Sequence, residues 1–97
     1  MFNEYFTPHA DVSQDKSSYT IKIELPGVKK EDISVEVEGD SLVISAKRDS
    51  KEYSRSFRIP GSVDTSCIDG RSEDGILTLT LPKRKPPKKD SHKINIK

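Results

Sequence analysis

With 97 residues, 31% of them hydrophobic and 34% charged, the chain makes one domain with a thin core and a heavily solvated outer face. Its single cysteine excludes an internal disulfide and leaves Cys67 as a small buried or half-buried residue. No apolar run approaches the ~18 residues of a membrane helix and no basic-then-apolar leader opens the chain, so the expectation is a cytoplasmic protein with no membrane partner.

The first eighteen or so residues hold Phe2, Tyr5 and Phe6, and a possible edge strand at Ala10 to Ser13. From Tyr19 to Leu25 apolar and polar residues alternate strictly, which puts Ile21, Ile23 and Leu25 on one face of a strand. Pro26-Gly27 ends it as a type II turn, proline setting the first central position and glycine supplying the positive φ of the second. Alternation resumes over Ile33 to Glu38, and Gly39-Asp40 suits a two-residue hairpin into Leu42 to Lys47. Tyr53 to Ile59 is a weaker strand with Tyr53, Arg55, Phe57 and Ile59 on one side. Ile68 to Ser72 is short, and Asp74-Gly75 turns the chain into Ile76 to Leu81.

Six or seven short strands with turns every eight to twelve residues or so, and no helical periodicity, predict an all-β, two-sheet sandwich. Its core is expected from Ile21, Ile23, Leu25, Ile33, Val35, Val37, Leu42, Ile44, Phe57, Ile59, Val63, Leu77, Leu79 and Leu81. The domain spans residues 19–82, between an N-terminal arm, 1–18, and a C-terminal extension, 83–97.

The extension carries seven Lys/Arg against one acid, a net +6, on a body of net −5. A basic tail can be a nucleic-acid arm, but no aromatic residue interleaves these charges to stack a base. The expectation is a solvated linker and no nucleic-acid partner. Pro86-Pro87 prevents a helix or central strand, and Ile94 and Ile96 then point to one side of an extended segment. A tether presenting two β-branched side chains is built to plug a groove, on a neighbouring copy of the chain.

Four stretches carry a family resemblance. Glu24-Leu25-Pro26-Gly27-Val28 with Lys30-Glu31-Asp32-Ile33 resembles the first half of the α-crystallin domain of small heat-shock proteins. Phe57-Arg58-Ile59-Pro60 with Val63-Asp64 resembles its middle, Asp74-Gly75-Ile76-Leu77 with Leu81-Pro82-Lys83 its closing strand, and Ile94-Asn95-Ile96 its C-terminal Ile-x-Ile motif. Together they cover Tyr19 to Ile96. The resemblance implies an immunoglobulin-like β-sandwich and an ATP-independent chaperone of the stress response, which holds unfolding clients in a soluble state.

It also implies that the tail motif inserts between two strands of another subunit, here Ile33 to Glu38 and Ile68 to Ser72. Val35, Val37, Ile68 and Gly70 are the groove candidates, though the three aliphatics can equally be core. Gly70 stands where the family commonly has alanine, which either deepens the groove or loosens the strand. Arg55 matches an arginine that relatives keep at their dimer interface; beside Tyr53 and Phe57 its charge needs a partner if covered. Phe2, Tyr5 and Phe6 stand where relatives carry a long apolar client-binding arm. Relatives also exchange a long loop between partners, whereas the Asp49 to Glu52 connection, at about 3.3 Å per residue, cannot reach across a dimer.

Nothing predicts an enzyme or a cofactor. His9, Cys67 and His92 lack metal-ligand spacing, and neither a phosphate-binding Gly-x-x-x-x-Gly-Lys loop nor a Gly-x-Ser-x-Gly elbow occurs. Two other functions fit such a sandwich: a co-chaperone adaptor resembling the p23 or CS-domain proteins, and a scaffold that only assembles. The closing Gly-Ile-Leu strand and the Ile-x-Ile tail speak against the adaptor.

Overall fold

In the computed structural model, which describes residues 4–85 and 94–97, eight strands form two four-stranded sheets packed face to face. They are β1 (Glu4–Phe6), β2 (Ala10–Gln14), β3 (Ser18–Glu24), β4 (Ile33–Glu38), β5 (Ser41–Arg48), β6 (Lys51–Arg58), β7 (Asp69–Glu73) and β8 (Ile76–Pro82). One sheet runs β1-β6-β5-β4 and the other β2-β3-β8-β7. All pairs are antiparallel except β1, which lies parallel to β6. Short 3₁₀ turns at Lys30–Asp32 and Thr65–Cys67 are the helical elements among the described residues.

Turn chemistry sets the register. Gly27 takes φ 75° and Val28 N–H donates to the Leu25 carbonyl at 3.2 Å, the type II turn expected of Pro26-Gly27. Asp74 and Gly75 are both left-handed, at φ 51° and 76°, and join β7 to β8. The Asp49-Ser50 hairpin brings Arg48 opposite Lys51, so β6 pairs within its own chain.

Directly paired residues share a face in antiparallel sheets. Ile21, Ile23, Leu77, Leu79 and Leu81 of one sheet therefore meet Leu42, Ile44 and Ala46 of the other, all buried. Leu25, Val28, Ile59 and Val63 close the ends of this core. Four expected members behave differently. Ile33 and Phe57 are only half-buried against it, and Val35 and Val37 remain 36% and 44% exposed. Alternation put all four on the inward face, but Ile33, Val35 and Val37 are on β4, the last strand of its sheet, which β7 opposes with small inward residues, Gly70 and Ser72. Phe57 is on the stretch of β6 that β1 does not pair. Cys67, expected buried, is exposed, because it sits on the surface turn after Asp64 with its thiol 3.5 Å from that carboxylate.

Candidate functional site

The uncovered side of β4 forms one wall of a groove of about 390 Å³ along the edge of the sandwich. Ile33 and Val35 come from β4; Gly70 and Ser72 come from β7, and Leu77 of β8 supplies the floor. The groove follows from sheet order, which makes β4 and β7 the edge strands on one side. Period-2 alternation aims Val35 inward, and Gly70 offers no side chain to meet it. A Cβ placed on Gly70 would lie 3.1 Å from Leu79 Cδ2, so the floor is already packed up to the glycine backbone. Lys30 and Arg71 stand at the rim, the latter 3.2 Å from Glu73.

Of the four groove candidates, the structure brings Val35 and Gly70 together. Val37 shares their inward face further along β4, outside this lining. Ile68 precedes β7 and packs half-buried on the core. Ile33, Ser72 and Leu77 also line the groove, though the sequence marked Ile33 and Leu77 only as core and did not mark Ser72 at all. The period-2 rule could have found Ser72, which pairs with Leu77 and points inward as Gly70 does. Ile94 and Ile96 are 84% and 96% exposed, the most uncovered large apolar residues among those described.

The opposite edge of the sandwich holds Arg55. Its register opposite Ile44 aims it inward, where it is half-buried. Its guanidinium donates to the Pro8 carbonyl at 3.2 Å and lies 5.2 Å from the centre of the Phe57 ring. The cation is thus partnered by a main-chain oxygen and a π face, and it ties the β1–β2 connection to β6.

Phe6, on β1, is 39% exposed and rests on β6, with its ring centre 5.5 Å from that of Tyr53 and with Lys51 Nζ at 5.6 Å. Tyr5, also on β1, pairs with Glu52 of β6. Phe2, His92 and residues 86–93 of the extension lie outside the described residues. Among the described residues no group of three or more His, Cys, Asp or Glu could hold a metal ion, and no helix is long and apolar enough to cross a membrane.

The Hsp20/alpha crystallin family model matches residues 11–97. The chain belongs to this family. It is 37% identical over 92 residues to the 15.4 kDa class V heat shock protein of Arabidopsis thaliana, covering 84% of this chain and 68% of that relative. Among solved structures it resembles heat shock protein 16.0 of Schizosaccharomyces pombe, with TM-score 0.75 and 32% identity over 96% of this chain and 77% of that one. A small heat-shock protein of Xylella fastidiosa has the same fold, with TM-score 0.81 at 20% identity over 94% of this chain and 98% of that one. Membership makes the chain a small heat shock protein, a non-enzymatic class with a chaperone role and an α-crystallin domain.

Proposed function

We propose that this small heat shock protein is a cytoplasmic, ATP-independent holdase, and that copies assemble when Ile94 and Ile96 of one enter the β4/β7 groove of another. The observation that carries this reading is a pair of complementary deficits. Val35 faces inward on β4 with no opposing side chain from Gly70, while the two isoleucines at the chain's end are exposed. Burying each isoleucine contributes roughly 1.5–3 kcal/mol when fully covered, offset in part by ordering the tether. A single contact is therefore weak, and several tails per assembly make it strong. The −5 charge of the body also favours a +6 tail.

The building block in this reading is a dimer with Arg55 at its interface. The β6 edge from Ser54 to Arg58 has no partner strand among the described residues, since β1 pairs only Lys51 to Tyr53. The Asp49-Ser50 hairpin supports a dimer without strand exchange.

Unfolding clients expose apolar surface, and a holdase offers apolar surface in return. Here the supply is Phe2, Tyr5 and Phe6, together with the groove whenever the tail leaves it. Tail and client then compete for one wall, and the plugged-to-open equilibrium sets the capacity. Turbidity of a heat-labile enzyme, followed against added protein with and without ATP, tests the reading. Protection that needs a stoichiometric excess and ignores nucleotide is expected. Substoichiometric action or ATP dependence contradicts it, and no protection at any ratio favours the scaffold or adaptor.

A further inference from the structure

The C-terminal extension does not leave β8 freely. Lys83 Nζ donates to the Asp15 carbonyl at 2.7 Å and to Gln14 Oε1 at 3.1 Å, and it lies 4.7 Å from the centre of the Tyr19 ring. The backbone is held at the same place. Lys83 N–H donates to the Ser17 carbonyl at 2.8 Å, Arg84 N–H to the Ser62 carbonyl at 2.6 Å, and Val63 bridges Lys83. Two loops thus grip the root of the extension, the β2–β3 turn and the Ser62-Val63 segment. The β2–β3 turn is itself braced, since the Asp15 carboxylate accepts from Ser17 N–H at 2.7 Å and Ser18 N–H at 2.8 Å.

We propose that Lys83 is a positioning residue for assembly, its clamp fixing where the extension starts and which way it heads. The inference rests on the tail-and-groove reading and adds to it the residue that aims the tail. Leu77 at the groove floor and Lys83, just past the end of β8, stand six positions apart in extended chain, about 20 Å at ~3.3 Å per residue. The root therefore lies well away from the chain's own groove. Beyond Arg84 the tether from Lys85 to Ile94 spans at most about 33 Å. A short tether with a fixed root and heading confines its tip to a small volume. It thereby raises the effective concentration of Ile94 and Ile96 at one placement of the neighbour and lowers it at others. A lysine suits the task because its cation takes two oxygen acceptors and an aromatic face at once.

The test uses full-length chains compared by sedimentation at matched concentration. Lys83→Met keeps an apolar stem over Tyr19 and removes the cation and its donors. It is expected to keep the β-sheet signature while self-association weakens about tenfold, as when one residue's ordering is no longer supplied in advance. The assemblies should also spread over more masses, and Lys83→Arg should restore most of the wild-type distribution. A synthetic peptide of residues 88–97 should bind Ile94→Ala/Ile96→Ala chains equally well with and without Lys83→Met, because the groove itself is untouched.

An unchanged mass distribution in Lys83→Met overturns the proposal, as does a peptide affinity that falls with that substitution. Peptide binding to neither chain, with masses unaltered by Ile94→Ala/Ile96→Ala, removes the tail reading and this inference with it. If Lys83→Met does not fold, Gln14→Ala, which deletes one acceptor, must shift the masses in the same direction by a smaller amount. No shift there counts against the clamp.

Discussion

Gly70 stands directly opposite Leu79 on the neighbouring strand, and a Cβ at Gly70 would come within 3.1 Å of Leu79 Cδ2. Leu79 is 1% exposed, so its methyl has little room to retreat. Gly70→Ala therefore sets two small effects against each other. Replacing a strand glycine gains about 0.5–1 kcal/mol, and crowding a packed core costs about 1–3 kcal/mol. The expected outcome is a modest net loss of stability, read as a fall of a few degrees in Tm. Gly70→Leu goes further by filling the groove opposite Val35, and should weaken binding of a tail peptide at least about tenfold. Unchanged peptide binding to a folded Gly70→Leu chain would take the groove out of the assembly.

Arg55→Ala deletes the hydrogen bond to Pro8 and the contact with Phe57. The hydrogen bond contributes about 1 kcal/mol and the cation–π contact ~0.5–1 kcal/mol. Urea unfolding should show a loss of about 1–2 kcal/mol, accompanied by weaker dimerisation in light scattering. Arg55→Lys should recover only part of either, because a lysine is a point charge without the planar guanidinium. A dimer of unaltered stability in Arg55→Ala would place this arginine outside the interface.

Most of the sandwich was legible in the sequence, and the reasons are local. Alternation in Tyr19 to Leu25 and Leu42 to Lys47, with turn residues at Pro26-Gly27 and Asp74-Gly75, needs no knowledge of distant partners. What escaped was set by distance in sequence. β1 is three residues long and exists because Lys51 to Tyr53 offers it an edge. Val35 and Val37 point inward as their spacing says, but their exposure depends on β7 bringing glycine and serine opposite them. The grip on Lys83 joins it to Gln14 across a separation of 69 residues, and nothing in the local run Leu81-Pro82-Lys83-Arg84 announces it. For the groove, the inward face could be read from sequence, but the gap above it could not.

Acid should weaken the fold through two turn carboxylates. The backbone N–H of Ser17, followed by that of Ser18, holds the Asp15 carboxyl below its ordinary value of 3.8. The Ser66 hydroxyl at 2.6 Å, followed by its N–H at 3.1 Å, does the same for Asp64. A folded-state pKa below the unfolded one gives stability that is fully present above the unfolded value and lost as pH falls through the folded one. Stability should therefore be level from neutrality down to about pH 5 and decline below about pH 4. Urea midpoints for Asp15→Asn/Asp64→Asn should show a shallower decline over that acid range. An equally steep decline in the double variant would remove these carboxylates as its cause.

Nothing tests the central claim more directly than the native mass of Ile94→Ala/Ile96→Ala beside the wild type, taken by sedimentation over a range of concentrations. Both isoleucines are exposed in the folded chain. Their truncation should leave Tm within a few degrees of wild type, as expected for residues outside the core. The loss of roughly 1.5–3 kcal/mol per covered side chain, multiplied over the tails of an assembly, should shift the larger species to dimer. Equal masses for the two proteins at every concentration would contradict the account.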